Sequence, residues 1–174
     1  GSSVVELQYY NLRVSKRLLR MSQHHDHGHC IASAMDTAKK LCEQQGARLT
    51  PVRRRVLELI WQNHKPIGAY ELLPQLAADG FNSAPPTVYR ALDFLLELGV
   101  VHRISSLNAF IGCDQPGLSH PTGFFICKEC GNATELPAKH LTKLAQALEV
   151  ELGVSIESGS HELSGLCSNC RTAA

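Results

Sequence analysis

The chain has 174 residues, 44% of them hydrophobic, and a net charge of +1. That length holds one medium domain or two small ones, and no run approaches the ~20 apolar residues of a membrane span. The near-neutral total conceals an asymmetry: 13 basic and 9 acidic residues lie up to Ile111, against 4 basic and 7 acidic from Gly112 onward. A basic front and an acidic back fit a nucleic-acid module joined to a module with a different partner, although four of the basic residues precede Met21.

Gly1-Ser2-Ser3 reads as a cloning remnant, Val4–Arg20 either as native sequence or as an upstream translated leader, and Met21 as a natural start. The apolar residues before Met21 are interrupted by Asn11, Arg13 and Lys16, so no signal peptide is evident and a cytoplasmic protein is expected. His24 to Cys30, HHDHGHC, reads either as a mobile tail or as an auxiliary metal site, and residues 1–30 are set apart as tag, leader and tail.

The spacing of Ile31, Ala34, Met35, Ala38, Leu41 and Cys42 predicts a helix that Gly46 ends. Thr50-Pro51 supplies an N-cap and a first-turn proline for a second helix. Val52, Val56, Leu59 and Ile60 form its apolar face; Arg53, Arg54 and Arg55 lie around its outside, where they would position on phosphates. A third, short helix runs through Tyr70, Leu72, Leu73 and Leu76, with Pro74 tolerable in the first turn or at a kink. Ser83 to Gly99 is the fourth. Val88, Ala91, Leu92 and Leu95 make its buried stripe, so Thr87, Tyr89, Arg90 and Asp93 project elsewhere. Two short strands, Val100–Ile104 and Ala109–Cys113, flank a turn at Ser105–Asn108. Helices followed by this hairpin describe a winged helix-turn-helix over residues 31–111, whose last helix enters the major groove.

Beyond Gly112 the pattern changes. Residues 112–120 read as a hinge, and 121–174 as a small α/β domain with strands at Gly123–Cys127, Asn132–Leu136 and Val154–Leu163 and a helix opened by Pro137. The fold class is therefore α+β: a winged-helix domain, then a small domain that needs a staple at this size. Cys127-Lys-Glu-Cys130 and Cys167-Ser-Asn-Cys170 supply one, as two knuckles that present four thiolates to a structural zinc. A redox CxxC is the alternative, but two such motifs at opposite ends of a small domain fit a clip better.

His102, Cys113, His120, Glu135, His161 and Glu162 are the remaining ligand-type residues. Each alone has an ordinary structural explanation. Together, His102 and Cys113 stand at the ends of one hairpin and meet, while His120 and Glu135 flank the first knuckle. A nitrogen, sulfur and oxygen shell of that kind suits tetrahedral zinc better than octahedral Fe²⁺ or Mn²⁺. Enzyme readings lack their residues: His161-Glu162 has no second histidine four residues on, and neither cysteine pair follows a proline as a deaminase requires.

RLTPVRRRVLELI, PPTVYRALDFLLELGVVHRI and the paired CxxC, in this order, resemble the ferric-uptake-regulator family of bacterial metal-dependent repressors, and within it the zinc-sensing branch. The resemblance covers Ile31 to Arg171. It implies a homodimer formed through the C-terminal domain, operator DNA as partner, and about two zinc ions per chain. Those ions would be a structural one on Cys127, Cys130, Cys167 and Cys170 and a regulatory one on His102, Cys113, His120 and Glu135. Tyr70, Thr87, Tyr89 and Arg90 become the expected DNA contacts, and zinc-uptake genes the expected targets; a sensor of iron, manganese or peroxide is the alternative. Two features depart from the iron-type pattern: only His120 stands where those members carry HHxH, and His161 lies two residues later than the usual histidine before the third cysteine.

Overall fold

The structure is a computed structural model that describes residues 27–62, 65–118, 120–157 and 159–172. Helix α1 (His27–Gln44) begins four residues earlier than the apolar spacing indicates. In α2 (Pro51–Trp61), Thr50 caps the first turn by accepting the Arg53 N–H at 3.4 Å, and Pro51 occupies a position whose N–H would have no helical partner. Helix α3 (Ala69–Ala78) is entered through Gly68, whose N–H donates to the Glu71 carboxylate at 2.9 Å. Pro74 sits inside α3, past the first turn. It cannot donate to the Tyr70 carbonyl, and both Tyr70 and Pro74 are exposed, so the lost helical hydrogen bond falls on the open side of the helix.

Helix α4 spans Pro85–Glu97, shorter at both ends than its sequence suggests. Pro85 and Pro86 fix the first turn, and Asn82 accepts the Ala84 N–H at 3.0 Å just ahead of it. Gly99, at φ +72°, stops the helix in a conformation that costs other L-residues a steric penalty. Val88, Ala91, Leu92 and Leu95 are buried against α2 and α3, and they belong to one core with Val56, Leu57, Leu59, Ile60, Leu72 and Leu76.

The hairpin is β2 (Val101–Ile104) and β3 (Ala109–Gly112), joined by a 3₁₀ turn at Ser105–Leu107. The structure adds β1 (Ile67–Gly68), which the sequence did not announce because two residues carry no periodicity; it pairs antiparallel with β3 to give the order β1-β3-β2. The second sheet has the order β5-β4-β6, from β4 (Thr122–Cys127), β5 (Ala133–Glu135) and β6 (Ser160–Gly165). Helix α5 (Ala138–Leu152) carries the chain across, so β6 lies parallel to β4. The expected last strand at Val154–Leu163 is thus displaced toward the C-terminus. Residues 154–157 instead turn back on α5, where the Ile156 N–H donates to Glu149 at 2.8 Å. The short α6 (Ser168–Thr172) holds the final knuckle.

A second, much smaller core contains Phe124, Ile126 and Ala133 from the second sheet, with Ile104 and partly buried Ile111 from the wing. The wing is therefore packed onto the second sheet. No helix among the described residues is long and apolar enough to cross a membrane.

Candidate metal centres and nucleic-acid face

His102 lies on β2 opposite Ile111, and Cys113 follows β3 directly, with its N–H donating to the Val100 carbonyl at 3.0 Å. The hairpin thus delivers an imidazole and a thiol from its open end. Glu135 ends β5, opposite Phe124, and reaches the same space from the second sheet. His120 comes from the connecting loop. The ligand atoms of His102, Cys113, His120 and Glu135 all lie within 4.8 Å of one another.

Glu135 and His120 are each held from outside the cluster. The Asp114 N–H donates to Glu135 Oε2 at 3.0 Å, which leaves Oε1 to His120 Nε2 at 2.7 Å. The Leu118 carbonyl accepts from His120 Nδ1 at 2.8 Å and so turns Nε2 toward the cluster, as outer-sphere carbonyls do for metal-binding histidines. Both His120 nitrogens face acceptors. Burial opposes a charged ring, but the Leu118 carbonyl and Glu135 outweigh it and raise the His120 pKa. Burial likewise works against the Glu135 carboxylate; His102, the Asp114 N–H and His120 overcome it and bring the pKa down to about 2. The Cys113 thiol is pushed up to about 12, chiefly by burial.

The donor set passes a physical test for a metal. His102 Nε2 is buried without a hydrogen-bond partner, at 3.5 Å from Glu135 Oε1. Although that approach helps to stabilise the carboxylate, it is too poorly aligned to satisfy the imidazole. Cys113 Sγ stands 4.0 Å from His120 Nε2, too far for a strong hydrogen bond. An orphaned imidazole nitrogen, a buried thiol and a held carboxylate oxygen facing one space are what a four-coordinate zinc would satisfy.

The second cluster is Cys127, Cys130, Cys167 and Cys170, again with all ligand atoms within 4.8 Å. Cys127 ends β4; the Gly131 N–H bonds back to its carbonyl at 3.0 Å, and the Lys128 N–H ties the knuckle to the Gly165 carbonyl at 2.9 Å. The Cys167 N–H points at Cys127 Sγ at 3.4 Å. Amide donors from Cys130 and Cys167 bring Cys127 down to about 6, while sharing protons with the other thiols, Cys167 first, pushes Cys170 up to about 12. Cys130 Sγ and Cys167 Sγ are 3.9 Å apart. Zn–S bonds of ~2.3 Å in a tetrahedron set sulfurs about 3.8 Å apart, so the spacing suits one closed S₄ shell.

His161 and Glu162 join neither cluster. His24, His25 and Asp26 lie outside the described residues, and so does the question of a metal site there.

On α4, Tyr89 and Arg90 are exposed on the side away from the buried stripe, and Thr87 is half-buried in the first turn. Tyr70, at the start of α3, is 69% exposed. The second-helix arginines, expected on phosphates, are already engaged within the protein. Arg55 bonds Asp79 at 2.6 Å and Glu58 at 3.3 Å, Arg54 pairs with Glu58 at 3.1 Å, and Arg53 stacks 3.5 Å from the Phe94 ring centroid. Arg53 also donates to the Arg48 carbonyl at 2.7 Å. Their spacing around the outside of α2 was legible, but the positions of Asp79 and Phe94 were not.

Two contacts had no signal in the sequence. Trp61 packs so closely on Gly112 that an added Cβ would stand 2.6 Å from its Nε1, so this glycine lets α2 press against the strand end that carries Cys113. Glu162 contacts the wing rather than a metal cluster. Neither has a local signal, since each depends on a partner far away in sequence.

A sequence profile described as the ferric uptake regulator family matches residues 44–164. The zinc uptake regulation protein of Escherichia coli strain K12 is 40% identical over 136 residues, covering 76% of this chain and 78% of that protein. Among solved structures, a zinc uptake regulator complexed with zinc and DNA superposes with a TM-score of 0.71 at 37% identity, covering 86% of this chain and 98% of that one. The holo form of XcZur gives 0.69 at 40% identity, over 82% and 99%.

Proposed function

The chain belongs to the ferric uptake regulator family, a regulator and not an enzyme, and we propose that it is a zinc-responsive repressor that binds operator DNA as a homodimer. The observation that carries this reading is the cluster of His102, Cys113, His120 and Glu135, because it draws on both sides of the hinge. Two ligands sit on the wing hairpin, one on the connecting loop and one on the second sheet. Zinc bound there supplies a tie between the two halves, strong enough in principle to shift a population from mostly inactive to mostly active, which takes ~5 kcal/mol of differential affinity. Zinc on Cys127, Cys130, Cys167 and Cys170 is structural, because four thiolates leave no open position.

The protein's own residues do the rest. Leu118 orients His120, Asp114 orients Glu135, and Trp61 seats the strand that ends at Cys113. With α4 fixed relative to the second domain, Arg90 and Tyr89 read bases or sugars in the major groove, while Thr87 and Tyr70 flank them. Exposed Leu144, Val150, Leu152 and Val154 on and after α5, with Leu163 on edge strand β6, supply an apolar surface for a second copy. Zinc-uptake genes are the targets this reading favours, by the match to zinc uptake regulation proteins.

The test is metal content together with DNA affinity. The probe is a duplex selected from a randomised pool by the zinc-loaded protein, titrated at buffered free Zn²⁺, Fe²⁺ and Mn²⁺. Wild type should hold about two zinc ions per chain and bind the duplex only with zinc. Cys113→Ser and His102→Ala should retain one zinc and lose zinc-dependent binding. Full zinc-dependent binding by both variants would sink the assignment of the hinge site; a response to Fe²⁺ or Mn²⁺ at lower free concentration would sink zinc as the signal.

A further inference from the structure

The wing turn at Ser105–Leu107 is a short helix whose N-cap, Ile104, provides no side-chain acceptor. Its leading amides would be orphaned by their own segment. They are met from another part of the chain: the Ser105 N–H donates to Glu162 Oε1 at 2.8 Å, and the Ser106 N–H lies 3.3 Å from each carboxylate oxygen. Glu162 stands on β6, opposite Phe124 in the parallel register. The residue before the turn, Ile104, is fully buried and shares a core with Phe124, Ile126 and Ala133. The wing turn is thus held by a carboxylate, and the strand residue just before it by an apolar patch, both belonging to the second sheet. The hinge cluster lies at the other end of the same hairpin. Amides at the start of a helical turn carry partial positive charge, and an anion is their natural partner. Ser106, through its side chain first and then its amide, with the Ser105 amide, holds the Glu162 carboxyl below its ordinary range, as expected of a cap in use.

We propose that Glu162 is a positioning residue, whose carboxylate caps the wing turn from the second sheet and forms a tie that needs no metal at the hinge and works in parallel with the hinge cluster. The effect on DNA rests on the repressor reading above; the cap itself does not. The contact exists only while wing and second sheet are together. It therefore favours the arrangement that brings His102 and Cys113 to His120 and Glu135, so cap and hinge metal bias one equilibrium and must assist each other.

The full-length chain carries the test, with E162Q removing the charge and S105P removing one amide. Proline is tolerated at the first position of a helical turn, and Ile104, at φ −95° and ψ 107°, already has the extended backbone required before it. Hydrogen exchange reads the cap directly: E162Q should speed exchange of the Ser105 and Ser106 amides, and S105P that of Ser106. Free zinc at half-maximal binding to the selected duplex should rise roughly three- to tenfold in each variant, a modest shift because the pair is partly solvated. Affinity should return to near wild type at saturating zinc, and the double variant should shift by less than the product of the single shifts.

Unchanged exchange in E162Q would overturn the cap. A lower melting temperature with an unmoved zinc midpoint would reduce Glu162 to a stability role and overturn the coupling. Tighter DNA binding by E162Q would also overturn it, by showing that the carboxylate competes with phosphate for these amides. Wild type that binds no duplex in response to zinc removes the repressor reading alone, and the exchange rates still decide the cap.

Discussion

His120 meets an acceptor at each ring nitrogen, Leu118 on one side and Glu135 on the other, so without metal its proton-rich form is favoured and its pKa is raised. Cys113, pushed up to about 12 mainly by burial, is a neutral thiol throughout the physiological range. Zinc therefore has to expel a proton from Cys113 at any neutral pH, and one from the metal-facing nitrogen of His120 below that ring's raised pKa. The sign follows: protons compete with the metal, and affinity for the hinge zinc rises with pH. Zinc competition titrations should show about a tenfold gain per pH unit where one proton is released, and a steeper gain toward lower pH where His120 contributes a second. Glu135, held at about 2, is ionised across this range and adds nothing to the slope. A pH-independent affinity between pH 6 and 8 would exclude these residues as the ligands.

At the scale of the element, α4 divides its faces cleanly. Val88, Ala91, Leu92 and Leu95 are within 3% of full burial, while Arg90 is exposed with no hydrogen bond to constrain it among the interactions described. Helix α2 is the opposite case, since Arg55 fastens it to Asp79 at the end of α3. The two arginines should respond differently to alanine. Arg90→Ala should cost about 1–3 kcal/mol of DNA binding and relax the selected sequence at one position, with the melting temperature little changed. Arg55→Ala should instead lower the melting temperature and leave sequence preference intact. Equal loss of base preference in both would remove the case for Arg90 as the reader.

Across the whole molecule, stability is unequally distributed. The helical half has a continuous core drawn from α1 to α4, whereas the core cluster of the second half has only four buried side chains, one of them lent by the wing. A core of that size does not hold a sheet by itself, and the thiolate clip has to contribute. Cys130→Ser, or exhaustive chelation, should therefore release β4 to β6 while α1 to α4 stay folded. Hydrogen exchange would show protection lost across the second sheet and in the wing turn, and kept in α2 and α4. Structural zinc is worth ~10–16 kcal/mol in small domains at neutral pH, enough to make the loss complete. A second sheet that keeps its protection after the clip is emptied would contradict this partition.

By itself the sequence determined what periodicity and spacing can encode. The apolar stripe of α4, the Thr50-Pro51 start of α2, the hairpin and the two CxxC pairs are local patterns, written within one turn or one strand. The four cysteines of the clip were legible for the same reason, whereas His102, Cys113, His120 and Glu135, each with an ordinary explanation alone, were expected together from their joint placement and from the family resemblance. Contacts between distant segments were decided only by tertiary structure. A two-residue β1, the shift of β6 into parallel register with Phe124, the capture of Arg53 and Arg55 by Phe94 and Asp79, and the seat of Trp61 on Gly112 each depend on a partner that no local window contains. Glu162 shows the reason most directly. In sequence it is a ligand-type residue beside His161; in space it lies under the wing, where the exposed amides of Ser105 and Ser106 need an anion.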